Sequence, residues 1–261
     1  MELLVDTHVH IYPRYDVGAL FDAAFSNFNA LGATTDSVKV LMLTERWDCA
    51  AFDRFVIDPQ AAGRGFSIET TAEPDALIVR REGGGELMLI AGRQVATAER
   101  LEVLLLGKRV DVPDRLSIRE TIRVGSEQGA VPVLNWSLGK WWNSRGAEIS
   151  ALLEEFSPQQ LLLGDVLLRP RGFPEPKQFL RGGGRGFRIV AGSDPLPFAG
   201  EEGVVGGYVT RLTGASDRDR PASSLRALLQ RSDTGLHAVG SRGSWTAAGR
   251  RLLQNELARR R

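Results

Sequence analysis

Short apolar runs alternate with amphipathic segments along most of the chain. The runs at 3–6, 38–44, 87–91, 101–106, 131–136, 161–165 and 189–193 read as strands. Several are too uniformly apolar to keep one face in water, as expected of strands buried on both sides in a parallel sheet or barrel. Segments 17–29, 117–128, 146–156, 222–230 and 244–259 place apolar residues at helical spacing and predict helices. This alternation predicts an α/β architecture, with a barrel as its closed form and the last helices as a C-terminal extension. Between 66 and 106 the pattern turns strand-like. Glu82-Gly83-Gly84-Gly85-Glu86 separates the runs 76–81 and 87–91 and reads as a hairpin loop. It is not read as a phosphate-binding loop, because no helix follows to offer its N-terminus. Arg181-Gly182-Gly183-Gly184-Arg185-Gly186 is read in the same way, as a surface turn before a strand.

Length and composition narrow the classes. The 261 residues, 43% hydrophobic and 25% charged, suit a globular protein with a sizeable core. With no repeat and no evident linker, a single domain over 1–261 is expected. Thirty-three basic residues against 32 acidic leave a formal charge of +1, which gives no global case for nucleic acid or an anionic membrane. One cysteine, Cys49, excludes an internal disulfide and fits a reducing compartment. No signal-peptide pattern and no membrane-spanning run of ~18 apolar residues is visible, so a cytoplasmic location is expected. Glycine and arginine usage suggests a bacterial source. The arginine-rich C-terminal helix reads as a solvated face.

Chemistry concentrates where the strands end. Two of the three histidines stand one residue apart in Asp6-Thr7-His8-Val9-His10. In an extended backbone residues i and i+2 share a face, so both imidazoles can converge on one point, as a divalent metal requires. By the same parity Asp6 shares that face and orients His8. Further along come Glu45-Arg46, Arg93-Gln94, Asn135-Trp136 with Gly139-Lys140, Asp165, and Ser193-Asp194. Each alone reads as a helix cap or turn residue. Asp16, at the start of a helical segment, reads as a cap too. Together the strand-end residues suggest a ring at the C-terminal face of the strands. His8, His10, Asp165 and Asp194 are the candidate metal ligands, the two aspartates being also the candidate catalytic groups. Arg46, Arg93 and Lys140 are candidates for holding an anionic substrate. His237 reads as structural.

These motifs resemble the polymerase and histidinol phosphatase (PHP) family of metal-dependent hydrolases, over about residues 1–200. The resemblance implies a distorted (β/α)7 barrel, a divalent metal (zinc, manganese or iron) and hydrolysis of a small anionic substrate, a phosphoester. The chain departs from the family pattern at Arg46, Gln94, Leu104, Asn135 and Leu196, where histidines or carboxylates are the rule. Those losses raise the alternative of a non-catalytic relative that binds a ligand or a protein partner, with Arg46 or Arg93 neutralising the remaining aspartates.

Overall fold

The computed structural model describes residues 1–259. β1 (Glu2–Val9) is buried along nearly its whole length and pairs in parallel with β2 (Val38–Leu43). α1 (Val17–Ala30) joins them. It buries the stripe Leu20, Phe21, Ala24, Phe25 and Phe28, and Asp16 caps its start by accepting the Ala19 N–H at 3.0 Å. After β2 come α2 (Ala51–Ile57) and an antiparallel meander, β3 (Phe66–Thr70), β4 (Ala76–Arg81) and β5 (Glu86–Ile90). β5 then lies parallel to β2 on its far side. β6 (Gly92–Ala96) and β7 (Glu102–Leu106) form a hairpin. They are followed by α3 (Ile118–Glu127), β8 (Val131–Asn135), α4 (Asn143–Glu155), β9 (Leu162–Val166), α5 (Lys177–Gly184) and β10 (Ile189–Gly192). The last third adds a 3-10 turn (Glu201–Val204), β11 (Tyr208–Thr213), α6 (Pro221–Gln230), β12 (Leu236–Gly240) and α7 (Trp245–Arg259).

The strands do not close into the barrel that their alternation predicts. They form a seven-stranded sheet, β12-β11-β1-β2-β5-β4-β3, and a five-stranded sheet, β10-β9-β8-β7-β6. Two sequence features account for this. The meander β3–β5 occupies the free edge of β2, and β11 takes the free edge of β1. Where β10 faces β1 and β11, threonine hydroxyls replace a backbone ladder. The Ala191 carbonyl accepts from Thr7 Oγ1 at 3.0 Å, and the Ala191 N–H donates to Thr210 Oγ1 at 2.7 Å. At the other seam an isolated bridge, Glu45 to Arg93, links the sheets.

The C-terminal extension is also not purely helical, because β11 and β12 complete the larger sheet. The glycine run at 182–184 lies inside α5, not in a surface turn. A Cβ on Gly182 would stand 2.8 Å from Leu163 Cδ1, so the glycine lets α5 lie close against β9.

Among the described residues, three apolar clusters form the core. One lies under α1 and α2 against the larger sheet. A second lies under α3, α4 and α5 against the smaller one. The third, including Val5, Met42, Leu104, Val133, Leu162 and Val190, lies between the two sheets and is covered by α6. No helix of the described residues is long and apolar enough to cross a membrane.

Candidate metal centre

The inner face of the strands changes from apolar to polar at one end of the third cluster. On β7 Leu106 and Leu104 belong to that cluster, and Glu102 is next on the same face. On β8 Val131 and Val133 lead in the same way to Asn135, which is paired with Glu102 across the strands. On β6 Gln94 pairs with Leu104. β1 delivers His8 and His10 to this end after a slip in its register with β2 between Asp6 and Val9.

His8 Nε2 and His10 Nε2 stand 3.0 Å apart. Asp194 Oδ1 lies 3.4 Å from the first and 3.7 Å from the second. Ligand atoms about 2.0–2.2 Å from a tetrahedral ion stand roughly 3.3–3.6 Å from one another, and this spacing brackets that range. The three residues could hold a metal ion between them. Gln94 Oε1 adds a fourth polar atom, 2.9 Å from His8 Nε2. Burial, then the neighbouring His8 and Arg46 charges, holds His10 well below its ordinary value. It is therefore neutral near pH 7, the form that ligates. Burial pushes the Asp194 carboxyl up while His8 pulls it down.

Asp194 takes a left-handed backbone conformation, φ 47°. Its N–H donates to the His8 carbonyl at 2.9 Å, so one candidate ligand is pinned to the backbone of another. Gly192 makes this approach possible, since a Cβ there would lie 2.5 Å from the His8 backbone nitrogen.

The other expected residues are placed differently. Asp165 is not brought to the cluster. It sits one residue beyond Gly164 and therefore on the opposite face of β9 from the inner positions. There Arg169 holds it through two bonds, Nε at 2.7 Å and a terminal nitrogen at 2.5 Å, and the Tyr208 hydroxyl donates to it at 2.8 Å. The charge that neutralises it thus comes from Arg169, with Arg242 at 3.8 Å, and not from Arg46 or Arg93. Asp6 is buried, but the register slip turns it away from the imidazoles. Its carboxylate accepts the N–H groups of His8, Ser193 and Gly206, tying β1 to the segments after β10 instead of orienting a ring. His8 Nδ1 has no partner among the described residues.

Of the candidate cations, Arg46 stays near the cluster, its guanidinium 5.9 Å from the Tyr12 ring centroid and paired with Asp48 at 3.1 Å. Tyr12 in turn packs on His10, the ring centroids 5.3 Å apart. Arg93 points away and donates to the Val112 carbonyl. Lys140 Nζ lies 2.5 Å from Glu102 Oε1, and Ser137 also donates to that carboxylate. Burial alone would raise Glu102. Lys140 and Ser137 overcome this and hold it below its usual range.

The fold of the chain is similar to that of PsfC from Pseudomonas syringae PB-5123. The TM-score is 0.58 at 14% identity, covering 99% of this chain and 98% of PsfC. A lower likeness, TM-score 0.48 at 11% identity, is to the lesion-specific endonuclease PfuEndoQ from Pyrococcus furiosus. It covers 92% of this chain and 59% of that one. No protein-family model matches the chain, and no curated protein sequence does.

Glu102 is the inner-face residue that sequence reading missed. The family resemblance aligned Leu104 with the lost ligand, one pleat deeper on the same face. The available signal was a lone carboxylate at the mouth of the apolar run 101–106.

Proposed function

We propose that this chain is a metal-dependent hydrolase of the PHP type, acting on a small anionic substrate, a phosphoester. The observation that carries the reading is the convergence of His8, His10 and Asp194 at ligand spacing. Gln94 stands beside them. A divalent ion, when bound, supplies Lewis acidity and makes water nucleophilic near neutral pH. The rest of the work falls to the chain. Arg46 and Lys140 provide positive charge for the substrate's anionic group. Glu102 keeps the Lys140 ammonium in place. The Asn135 amide is buried on the inner face beside Glu102, with neither Nδ2 nor Oδ1 partnered among the described residues. A cleft of about 930 Å³ opens beside Lys140, lined by Trp47, Thr97, Arg100 and Arg115.

The test is hydrolysis of p-nitrophenyl phosphate after incubation with zinc or manganese. His10→Ala and Asp194→Asn should each lower kcat/KM by at least about a hundredfold. Lys140→Ala should act mainly by raising KM. Turnover in His10→Ala equal to that of the unaltered protein would show that the activity arises elsewhere.

A further inference from the structure

The loop after β10 carries Asp194, and it is held from outside by the last helix of the chain. Arg251 of α7 donates through Nε to both oxygens of Glu201, at 2.8 and 3.0 Å. Its second nitrogen reaches Glu201 Oε2 at 2.5 Å and the Asp194 carbonyl at 3.2 Å. Both side chains are nearly buried, with exposures of 11% for Arg251 and 5% for Glu201. Glu201 is tied back to the same loop, where its Oε2 accepts the Leu196 N–H at 2.9 Å. The Leu196 carbonyl accepts the Tyr15 hydroxyl at 2.6 Å. Both peptide groups of Asp194 are thus clamped, the N–H by the His8 carbonyl and the C=O by a guanidinium some 57 residues further along the chain.

We propose that Arg251 is a positioning residue for the metal centre, latching the Asp194 loop so that its carboxylate meets the two imidazoles. The inference rests on the metal reading of His8, His10 and Asp194 given above. A loop residue in a left-handed conformation keeps that conformation only where its surroundings over-determine it, and the Arg251–Glu201 fork supplies one side of that constraint. The same fork makes the terminal helix part of the centre. α7 also packs through Ala248 and Leu252 against the cluster under the smaller sheet, and through Trp245 on Phe173, ring centroids 5.4 Å apart.

Removing Arg251 alone strands the buried Glu201 charge and loosens the loop for that reason. The decisive variant is therefore Arg251→Met with Glu201→Gln, which removes both charges and keeps an acceptor for the Leu196 N–H. Leu252→Ala serves as the control, loosening α7 without touching the fork. Two quantities are measured, the Co2+ affinity from visible absorption and the exchange rate of the Asp194 amide in metal-free protein. The double variant should bind Co2+ about 10–100-fold more weakly and lose protection at the Asp194 amide. Leu252→Ala should lower the melting temperature with neither effect, and Arg251→Lys should recover part of the affinity. Co2+ binding and amide protection unchanged in the double variant would overturn the latch, as would equal losses in Leu252→Ala. If the unaltered protein takes up no Co2+, the metal reading fails, and the Asp194 amide still decides whether Arg251 holds the loop.

Discussion

Asp165 and Asp194 look alike in the sequence, each an acidic residue after an apolar run, yet they do different things. Asp194 follows the glycine that lets the chain touch His8, and its carboxylate joins the imidazoles. Asp165 faces outward into Arg169 and Tyr208. Asp165→Ala should therefore leave metal affinity intact while costing about 3–5 kcal/mol, the usual result of stranding a buried charge such as Arg169. Urea denaturation beside a metal titration separates the two effects, and a loss of metal affinity with stability unchanged would contradict this assignment. The histidines were legible because the i, i+2 rule needs only a strand. Asp6 was misread because a register slip is invisible in a run such as Leu3-Leu4-Val5-Asp6, and a one-residue slip reverses a face. Asp165 involves no slip: β9 pairs regularly, and the aspartate falls on the outer face because Gly164, which has no side chain to mark it, takes the inner one.

At the scale of elements, the long periodic helices were legible, and the two shortest, α2 and α5, were not. α1 announces itself with five buried apolar residues and an aspartate cap. α5 was hidden by its glycine run, of which Gly182 serves a close approach to Leu163 that outweighs its low helix propensity. α2 is held at its start by a side chain from outside it. Glu45 Oε1 accepts the N–H groups of Ala51 at 2.5 Å and Phe52 at 3.1 Å. Burial raises the Glu45 carboxyl from 4.5 to about 7, against the pull of those two bonds. The folded state thus binds this proton more tightly than the unfolded chain does. The Glu45 contribution is most favourable below about pH 4.5 and is lost as the pH rises through about 7. Glu45→Gln keeps the acceptor and removes the titration. Its unfolding free energy should fall by about 1–3 kcal/mol less than that of the unaltered protein between pH 4.5 and 8. Equal slopes for the two proteins would show that Glu45 does not titrate in this window.

For the whole molecule, strand alternation was read correctly as α/β but not as two sheets. Local pattern says which segments are strands, whereas closure depends on which edges remain free. β3–β5 and β11 take the free edges of β2 and β1, and the threonines at 7 and 210 satisfy β10 without a ladder. None of this has a periodic signature. What the two-sheet arrangement does is bring the end of β1, the Asp194 loop and the last helix to one place. Hydrolysis at this place would require a metal held there. The direct measurement is zinc binding by the metal-stripped protein, read by calorimetry, for the unaltered chain and for His8→Ala, His10→Ala and Asp194→Ala. A metal held there predicts one tight zinc site in the unaltered protein and an affinity lower by at least about a hundredfold in each variant, because each removes one of three ligands. Absence of a stoichiometric site, or a site that survives all three substitutions, would contradict it.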